Sequence, residues 1–552
     1  MSASTEFPQL EWTGERMIPG ASDAATELYH WQRYLYFRPW YENARVIDAA
    51  SGEGYGTNYA SHYAQSATGF DLAADAVSHA TDRYPNVKFA QQDVTTADYS
   101  DADLVVSFET IEHVPDPRAF LESLRSCTGR IVISTPNRNT HSPGNTLEDK
   151  PFNQFHTIEW TPTEFAELVQ SVFADRQVRF VSQESQWPGL LKEGLDPNAM
   201  YCIAVIGDGA LPQWPKIGLS MPTVNNPELV QDAVVNLTRY YPGEVHISIV
   251  ANGSSPETVA TLQKLRDAMP YCVTLIESPV NLGYGPGSNL GLADLQSKNC
   301  DIYGVTNDDI LNSVECLTEL VLAYNSLREN GQNPGMVAPV TNNIHGAQRV
   351  EIGSFSDLAS LANRSERFHH AHHSEVTQHY QIRGMFFLMS PECLNQVGGF
   401  DPRFAVGNFE DDDLNLRCRL AGYTLWIANG AFMFHHGSMS FREAGADDYN
   451  ALIERNGDIF RNKWDLWNLE DWPKLDEAPA SVNLHVPLDA KYEMEYPVNV
   501  NGFEIDLISQ ASDIEFVNWV FDRVKARPRD FRREIVACVH MRIDAEAREN
   551  AA

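Results

Sequence analysis

Four acids in a row, Glu410, Asp411, Asp412 and Asp413, stand ahead of Leu414, Leu416, Leu420 and Ala421, and Gly422 ends the run. This spacing predicts a short helix with its acids in the first turn, where carboxylates meet unpaired amides. Two apolar stretches follow, 425–428 and 431–434, which read as two strands, and the second delivers His435 and His436 to its end. Acids and imidazoles facing one cleft would offer a general base and a neutral nitrogen ligand for a divalent cation; capping acids beside a surface histidine pair have the same spelling. Upstream, the apolar run 302–306 ends in Asn307, Asp308 and Asp309. Two carboxylates at a strand end suit a hard cation that neutralises a diphosphate, and equally a solvated turn.

A second chemistry-bearing set lies near the N-terminus. The run Arg45 to Ala50, with Asp48 inside it, reads as a buried strand that enters Ser51-Gly52-Glu53-Gly54-Tyr55-Gly56 before the chain turns helical. Glycines there let the backbone approach a ligand, and Asp71, about 20 residues on, is spaced to accept from ribose hydroxyls. A dinucleotide dehydrogenase or a tight structural turn would look similar. After a third strand comes Gln91-Gln92-Asp93, with Asp93 able to meet an exocyclic amine, and a fourth strand, 103–107, ends in FETIEHVPDP, which carries Glu109. His113 and His156 are candidate general bases, or packing and capping residues.

These sets need elements to hold them. Strand, loop and helix alternate from residue 45 to the 130–137 run, as in an open doubly wound sheet with ligands at the carboxyl ends of its strands. GDGALPQWP then reads as a linker, 208–215, and a second alternating block follows: strands 216–221, 245–251 and 273–277, helices 227–240 and 256–268, then NLGYGPGSNLG, with Gly283 and Asn289. That loop suggests backbone packed against a ligand or turning into a helix. The histidines 369, 370, 372, 373 and 379 read as a solvated acceptor-side loop rather than a metal site, because no acid or cysteine punctuates them. The stretch PKLDEAPASVNLHVPLD reads as a proline-bearing connector and 513–526 as an amphipathic helix, with packing or self-association as its role.

A chain of 552 residues exceeds one core. A formal charge of -34 argues against a nucleic-acid surface. Eight scattered cysteines without a CxxC argue against zinc or disulfide scaffolds and for a reducing cytoplasm. No apolar run reaches the roughly 18 residues of a bilayer span, which leaves peripheral membrane contact open.

In order and spacing, VIDAASGEGYGT, GFD, QQD, SFETIEHVPDP and ISTPNR resemble class I S-adenosylmethionine-dependent methyltransferases, over roughly residues 10 to 207. The resemblance implies a Rossmann-like domain, 1–207, that binds S-adenosylmethionine through Asp48, Gly52, Gly54, Asp71, Asp93 and Glu109. It departs at Ala50, where the family usually has glycine. SMPTVNNPEL, VANGSS, NLGYGPGSNLGL, VTNDDI, GGFD, the Glu410-Asp411 pair, LRCRLAGY and HHGSMSF resemble inverting family 2 glycosyltransferases of the GT-A fold, 216–468, with a C-terminal extension, 469–552. This second resemblance implies a nucleotide-sugar pocket at Pro222, Thr223, Asn252, Gly283, Asn289 and Asp308, and Mn²⁺ or Mg²⁺ on Asp309 and His435. It makes Asp411, with Glu410 beside it, the base toward a glycan or glycoconjugate acceptor. Ala251 stands where the family commonly has Asp, so one usual contact to the base is absent. An α/β protein that transfers both a methyl group and a sugar is the expectation; one live domain beside a degenerate one, or a binding scaffold, are the alternatives.

Overall fold

The computed structural model describes residues 16–19, 21–404, 407–437 and 446–491, without the side chains of 359 and 446–451. The expected helix at 513–526 and the end of the HHGSMSF motif, 438–441, lie outside the described residues.

The first sheet has eight strands: β1 Arg45–Ala49, β2 Ser66–Asp71, β3 Lys88–Gln91, β4 Leu104–Ser107, β5 Arg130–Pro136, β6 Val178–Gln183, β7 Leu191–Glu193 and β8 Tyr201–Ile206. Their order is β3-β2-β1-β4-β5-β8-β6-β7. The first five run parallel, and β8 is antiparallel to both β5 and β6. The burial of β4 and β8 on both faces follows from their unbroken apolar spelling. Strand order reverses between β1 and β4, and at such a switch point the carboxyl ends of neighbouring strands open a crevice. That is where the glycine loop after β1, Asp71 at the end of β2 and Glu109 after β4 gather. Helix Pro162–Val172 covers this sheet and starts on a capping box, in which Thr161 and Glu164 bond each other's backbone amides.

The second sheet has nine strands: β9 Ile217–Thr223, β10 Val245–Asn252, β11 Val273–Ser278, β12 Ile302–Thr306, β13 Ile310–Asn312, β14 Pro334–Thr341, β15 Val376–His379, β16 Phe386–Met389 and β17 Thr424–His435. The path is β11-β10-β9-β12-β16-β14-β17-β13, and β15 adds to β17. The half from β11 to β12 is parallel; β16 runs antiparallel to β12 and β14. The two strands expected at 425–428 and 431–434 are one, β17. Its register against β14 slips between Pro339–Ala428 and Val340–Phe432, so the polar pair Asn429-Gly430 is a bulge inside a strand rather than a turn between two. A Cβ on Gly430 would lie 2.7 Å from the His373 Cα, which explains the glycine there.

The histidine run is not a solvated loop. It forms the last turn of helix Leu358–His372 and lies against the first domain. His369 is fully buried, its Nδ1 donating to Gly430 O at 2.9 Å and its Nε2 meeting the Tyr63 hydroxyl at 2.8 Å. The expectation failed because burial is decided by the facing surface, which the local spelling does not contain. The His62 and His370 rings stack beside it. Elsewhere on the interface Gln32 donates to Arg239 O and Tyr241 O, and Trp214, in the Gly/Pro segment, donates to Tyr36 O at 3.0 Å.

Candidate functional sites

At the first crevice, Asp48 is buried under Tyr34 and Thr57, whose hydroxyls donate to its Oδ2 at 3.2 and 2.8 Å. Burial pushes its carboxyl up to about 6, against those two hydrogen bonds. The loop after β1 is held by Asp71, whose Oδ2 accepts from Gly52 N at 2.9 Å while Oδ1 accepts from Ala73 N. Gly54 caps the next helix at φ 95°, and a Cβ there would strike Ala80 at 2.8 Å and the Phe89 ring at 2.9 Å. Ala50 sits at φ 67°, in the left-handed region where glycine is at ease and alanine is strained. Asp93 is exposed and its Oδ1 accepts from both Thr95 N and Thr95 Oγ1, which holds its carboxyl below the usual range. Glu109, at φ 55°, accepts from Ser134 Oγ at 2.6 Å and Arg33 Nη1 at 3.3 Å. Gly52, Gly54 and Asp71 therefore stand together where β1 and β2 end, with Asp48 buried behind Tyr34 and Thr57, and Asp93 and Glu109 follow the neighbouring strands.

The second cleft forms where β9, β12 and β17 end. Asp308 and Asp309 follow β12, and their side chains part. Thr223 Oγ1 and Asn226 Nδ2 donate to Asp308 Oδ2 at 2.6 and 3.3 Å, and burial raises its carboxyl despite them. Asp309 turns to β17: Gly437 N donates to its Oδ2 at 3.2 Å, and its buried Oδ1 makes no hydrogen bond. That Oδ1 lies 3.2 Å from His435 Nε2. The histidine's Nδ1 is 2.7 Å from Asn343 O, so in the neutral ring Nδ1 carries the proton and Nε2 is the acceptor, met by Asn307 Nδ2 at 3.3 Å. Two acceptors at that separation need a proton or a cation between them. Burial favours a neutral imidazole, but the Asp309 carboxylate outweighs it and raises His435, while His435 lowers Asp309 in turn. A carboxylate and an imidazole of fixed tautomer are the donor set a divalent cation takes, so the residues fit one.

Helix Glu410–Leu420 splits its four acids into different tasks. Its N-cap is Phe409, at φ 70°, and no side chain caps the helix, so the acids are not there to cap it. Asp413 belongs to the core: it accepts from Arg417 Nε at 2.8 Å and Trp464 Nε1 at 3.0 Å, and pairs with Lys463. Asp411 Oδ2 faces Gly384 N at 3.3 Å and Arg383 Nη1 at 3.7 Å, and Oδ1 accepts from Asp412 N. Glu410 is pushed well above the carboxylate range by burial and by Asp411, and Asp412 up to about 7 by the same pair of causes. Tyr284, after the glycine loop, is raised by burial and by Glu410, Asp411 and Asp309 together, so the acid helix and the Asp309 corner share one electrostatic neighbourhood.

Asn252 and Asn289 both bond to backbone beside the glycine loop. The Asn252 amide donates to Asn281 Oδ1 and Gly283 O and accepts from Leu282 N, stapling the glycine loop to β10. Asn289 exchanges two hydrogen bonds of 2.8 Å with the Phe400 backbone. Pro222 and Gly283, at φ 86°, edge the same cleft. Sequence reasoning missed Asn226, which shares Asp308 with Thr223, the tautomer-setting Asn343, and Tyr284 and Arg383; NNIHG and QIRG carry no spacing signal that would have marked them.

Two family matches fall on these two folds: a methyltransferase domain over residues 30–176 and glycosyl transferase family 2 over residues 219–390. The chain carries a methyltransferase domain followed by a family 2 glycosyltransferase domain. Its methyltransferase part is 37% identical over 181 residues to a probable S-adenosylmethionine-dependent methyltransferase of Mycobacterium tuberculosis, an alignment covering 30% of this chain and 63% of that protein. The chain thus spans less than two thirds of the length of the curated relatives it matches. An uncharacterized protein of Sinorhizobium fredii is 22% identical over 278 residues, 47% of this chain and 28% of that one. Among solved structures, an S-adenosylmethionine-dependent methyltransferase from Clostridium acetobutylicum aligns at 12% identity and TM-score 0.28, over 36% of this chain and 96% of the other. No helix among the described residues is long and apolar enough to cross a membrane.

Proposed function

We propose that this chain transfers a methyl group from S-adenosylmethionine at its first crevice and a sugar from a nucleotide-diphosphate donor, with inversion, at its second, onto a common glycan or glycoconjugate. The observation that carries the reading is the buried Asp309 Oδ1 standing 3.2 Å from His435 Nε2, in the electrostatic neighbourhood of Asp411. Asp309 and His435 would hold Mn²⁺ or Mg²⁺, which supplies positive charge to a departing diphosphate. Asp411 takes the proton of the acceptor hydroxyl as that oxygen attacks the anomeric carbon opposite the leaving group; one in-line displacement inverts the centre. Arg383 orients Asp411, and Thr223 with Asn226 holds Asp308 against the nucleotide side. Asn252 and Asn289 shape the loop that Gly283 opens, with Pro222 at its edge. In the first crevice, Gly52, Gly54 and Asp71 cradle the cofactor above Asp48, with Asp93 and Glu109 at the adjacent strand ends. Methyl transfer needs chiefly this positioning, because the sulfonium is already a good leaving group. The units divide at 207 and 216, the glycosyltransferase runs to 468, and a cytoplasmic setting agrees with cysteines that are all free and buried among the described residues.

Calorimetry on the full chain tests both heads. S-adenosylmethionine should bind without added metal, and a nucleoside diphosphate should bind only with Mn²⁺ or Mg²⁺. Asp309→Asn should abolish the second and spare the first; undiminished nucleotide binding in a chelator would overturn the metal-dependent reading.

A further inference from the structure

Behind Glu109, the segment after β4 brings a second carboxylate and two imidazoles together. Glu112 is fully buried. Its Oε2 accepts from Thr135 Oγ1 at 3.1 Å, but its buried Oε1 makes no hydrogen bond and lies 3.7 Å from His113 Nε2. Thr157 ties the 153–157 loop onto it, donating from both its amide and its hydroxyl to Glu112 O at 2.8 Å. That loop brings His156, whose ring stands edge-on to His113 with centroids 4.9 Å apart.

Both rings have one nitrogen already assigned. His113 Nδ1 is 3.1 Å from Phe155 O, so it donates there and leaves Nε2, the atom facing Glu112, as the acceptor of the neutral ring. His156 Nδ1 is 2.6 Å from the buried Glu159 Oε1. A carboxylate behind the far nitrogen of an imidazole is the arrangement that orients metal-ligating histidines and raises their basicity. The near nitrogen, Nε2, sits 2.9 Å from Asn153 Nδ2, whose amide hydrogen a cation would replace. One ligand atom from each of Glu112, His113 and His156 lies within 4.8 Å of the other two.

We infer that Glu112, His113 and His156 form a binding site for one first-row divalent transition cation, with Glu159 as the positioning residue behind His156. Two imidazoles and one carboxylate suit a Zn²⁺-like or Fe²⁺-like ion better than Mg²⁺, which prefers all-oxygen ligands. The cation gives the orphaned Oε1 the partner it lacks, and three protein ligands leave positions open. The segment that carries the site continues from the strand end bordering the crevice. On the proposed methyl-transfer reading, from which this step borrows only the position of the crevice, the open positions face the methyl acceptor and select one that coordinates through oxygen.

The test uses the full chain bearing Asp309→Asn and His370→Gln, so that neither the Asp309–His435 pair nor the His62, Glu366 and His370 group can take the ion, stripped with a chelator and titrated with Co²⁺ while the visible d–d absorption is followed. One equivalent should develop the bands. His113→Gln, at a partly exposed position that tolerates change, and Glu112→Gln should each weaken binding at least tenfold, and Glu159→Gln by roughly 10–100-fold. Absence of bands in the parent, or bands that persist in His113→Gln and Glu112→Gln proteins with parental circular dichroism, would overturn the site. S-adenosylmethionine calorimetry on the same samples separates the two ideas: cofactor binding without bands refutes the cation site alone, whereas bands without cofactor binding uphold the site and refute the methyltransferase reading.

Discussion

Asp411→Asn separates the two meanings that a first-turn acid can have. On the structural side the change is small. Asp411 accepts from Asp412 N and Gly384 N, and asparagine keeps one of those acceptors, so the loss is about 1 kcal/mol. Against it stands relief of repulsion, because Asp411 is among the causes that push up both Glu410 and Asp412. Folding stability should therefore stay within about 1 kcal/mol of the parent, a shift of a few degrees at most. Chemistry should respond far more. A general base contributes roughly 10²–10⁴-fold, about 2.7–5.4 kcal/mol of barrier, and asparagine cannot take the proton. The assay is release of nucleoside diphosphate from whichever nucleotide sugar the parent hydrolyses, alongside calorimetric donor affinity in Mn²⁺, which should persist. A mutant that turns over at the parental rate, or a product of retained anomeric configuration, would refute the base and leave Glu410 as the next acid to test.

Three further outcomes follow from geometry. Ala50→Gly should stabilise the chain by about 0.5–1 kcal/mol, since relief of left-handed strain exceeds glycine's added chain entropy; a lower melting temperature would contradict φ 67° at this residue. Asp48 has its folded-state value raised to about 6 from 3.8, so the native state holds an extra proton between those values and stability from this group falls as pH rises across that window. Asp48→Asn should remove that slope and stabilise at pH 7 by on the order of 1–3 kcal/mol, read as the difference between mutant and parent urea midpoints from pH 4.5 to 7; parallel profiles would refute it. His369→Ala deletes a buried ring with partners at 2.8 and 2.9 Å in both domains and should cost about 2–4 kcal/mol and speed proteolysis at 208–215; an unchanged midpoint would mean the interface does not depend on it.

What was legible in the sequence was what depends on neighbours along the chain. The parallel strands around β1 and β9, the glycine loops and the acids at strand ends all declare themselves by period and by short spacing. Contacts that depend on distant surfaces did not. Four acids in a row carry no mark that Asp413 would meet Lys463 and Trp464 in the core while Asp411 faces Arg383, because the helix rotates each acid by about 100° and only the packed neighbours decide the outcome. The backbone bonds of Asn252 and Asn289 were hidden for the same reason: an amide beside a glycine loop serves the loop's own backbone as readily as a nucleotide. Asn429-Gly430 imitates a turn because its spelling is that of a turn, and its place as a bulge is set by the approach of His373.

The interface bears on why these two domains share one chain. His62 and His370 stack, His62 being pushed down to about 4 by burial and by its neighbour, and Tyr63 reaches across to His369 and through it to the bulge of β17. With Gln32 and Trp214 also bonded across the boundary, the linker does not behave as a free tether. A tether raises local concentration by letting one site search for the other's product, and a docked pair gives that up. What a docked pair keeps is a fixed distance between its two clefts, which benefits only an acceptor long enough to occupy or reach both without leaving the protein. On the proposed function, a small acceptor would gain nothing from the fusion, whereas a growing glycan would.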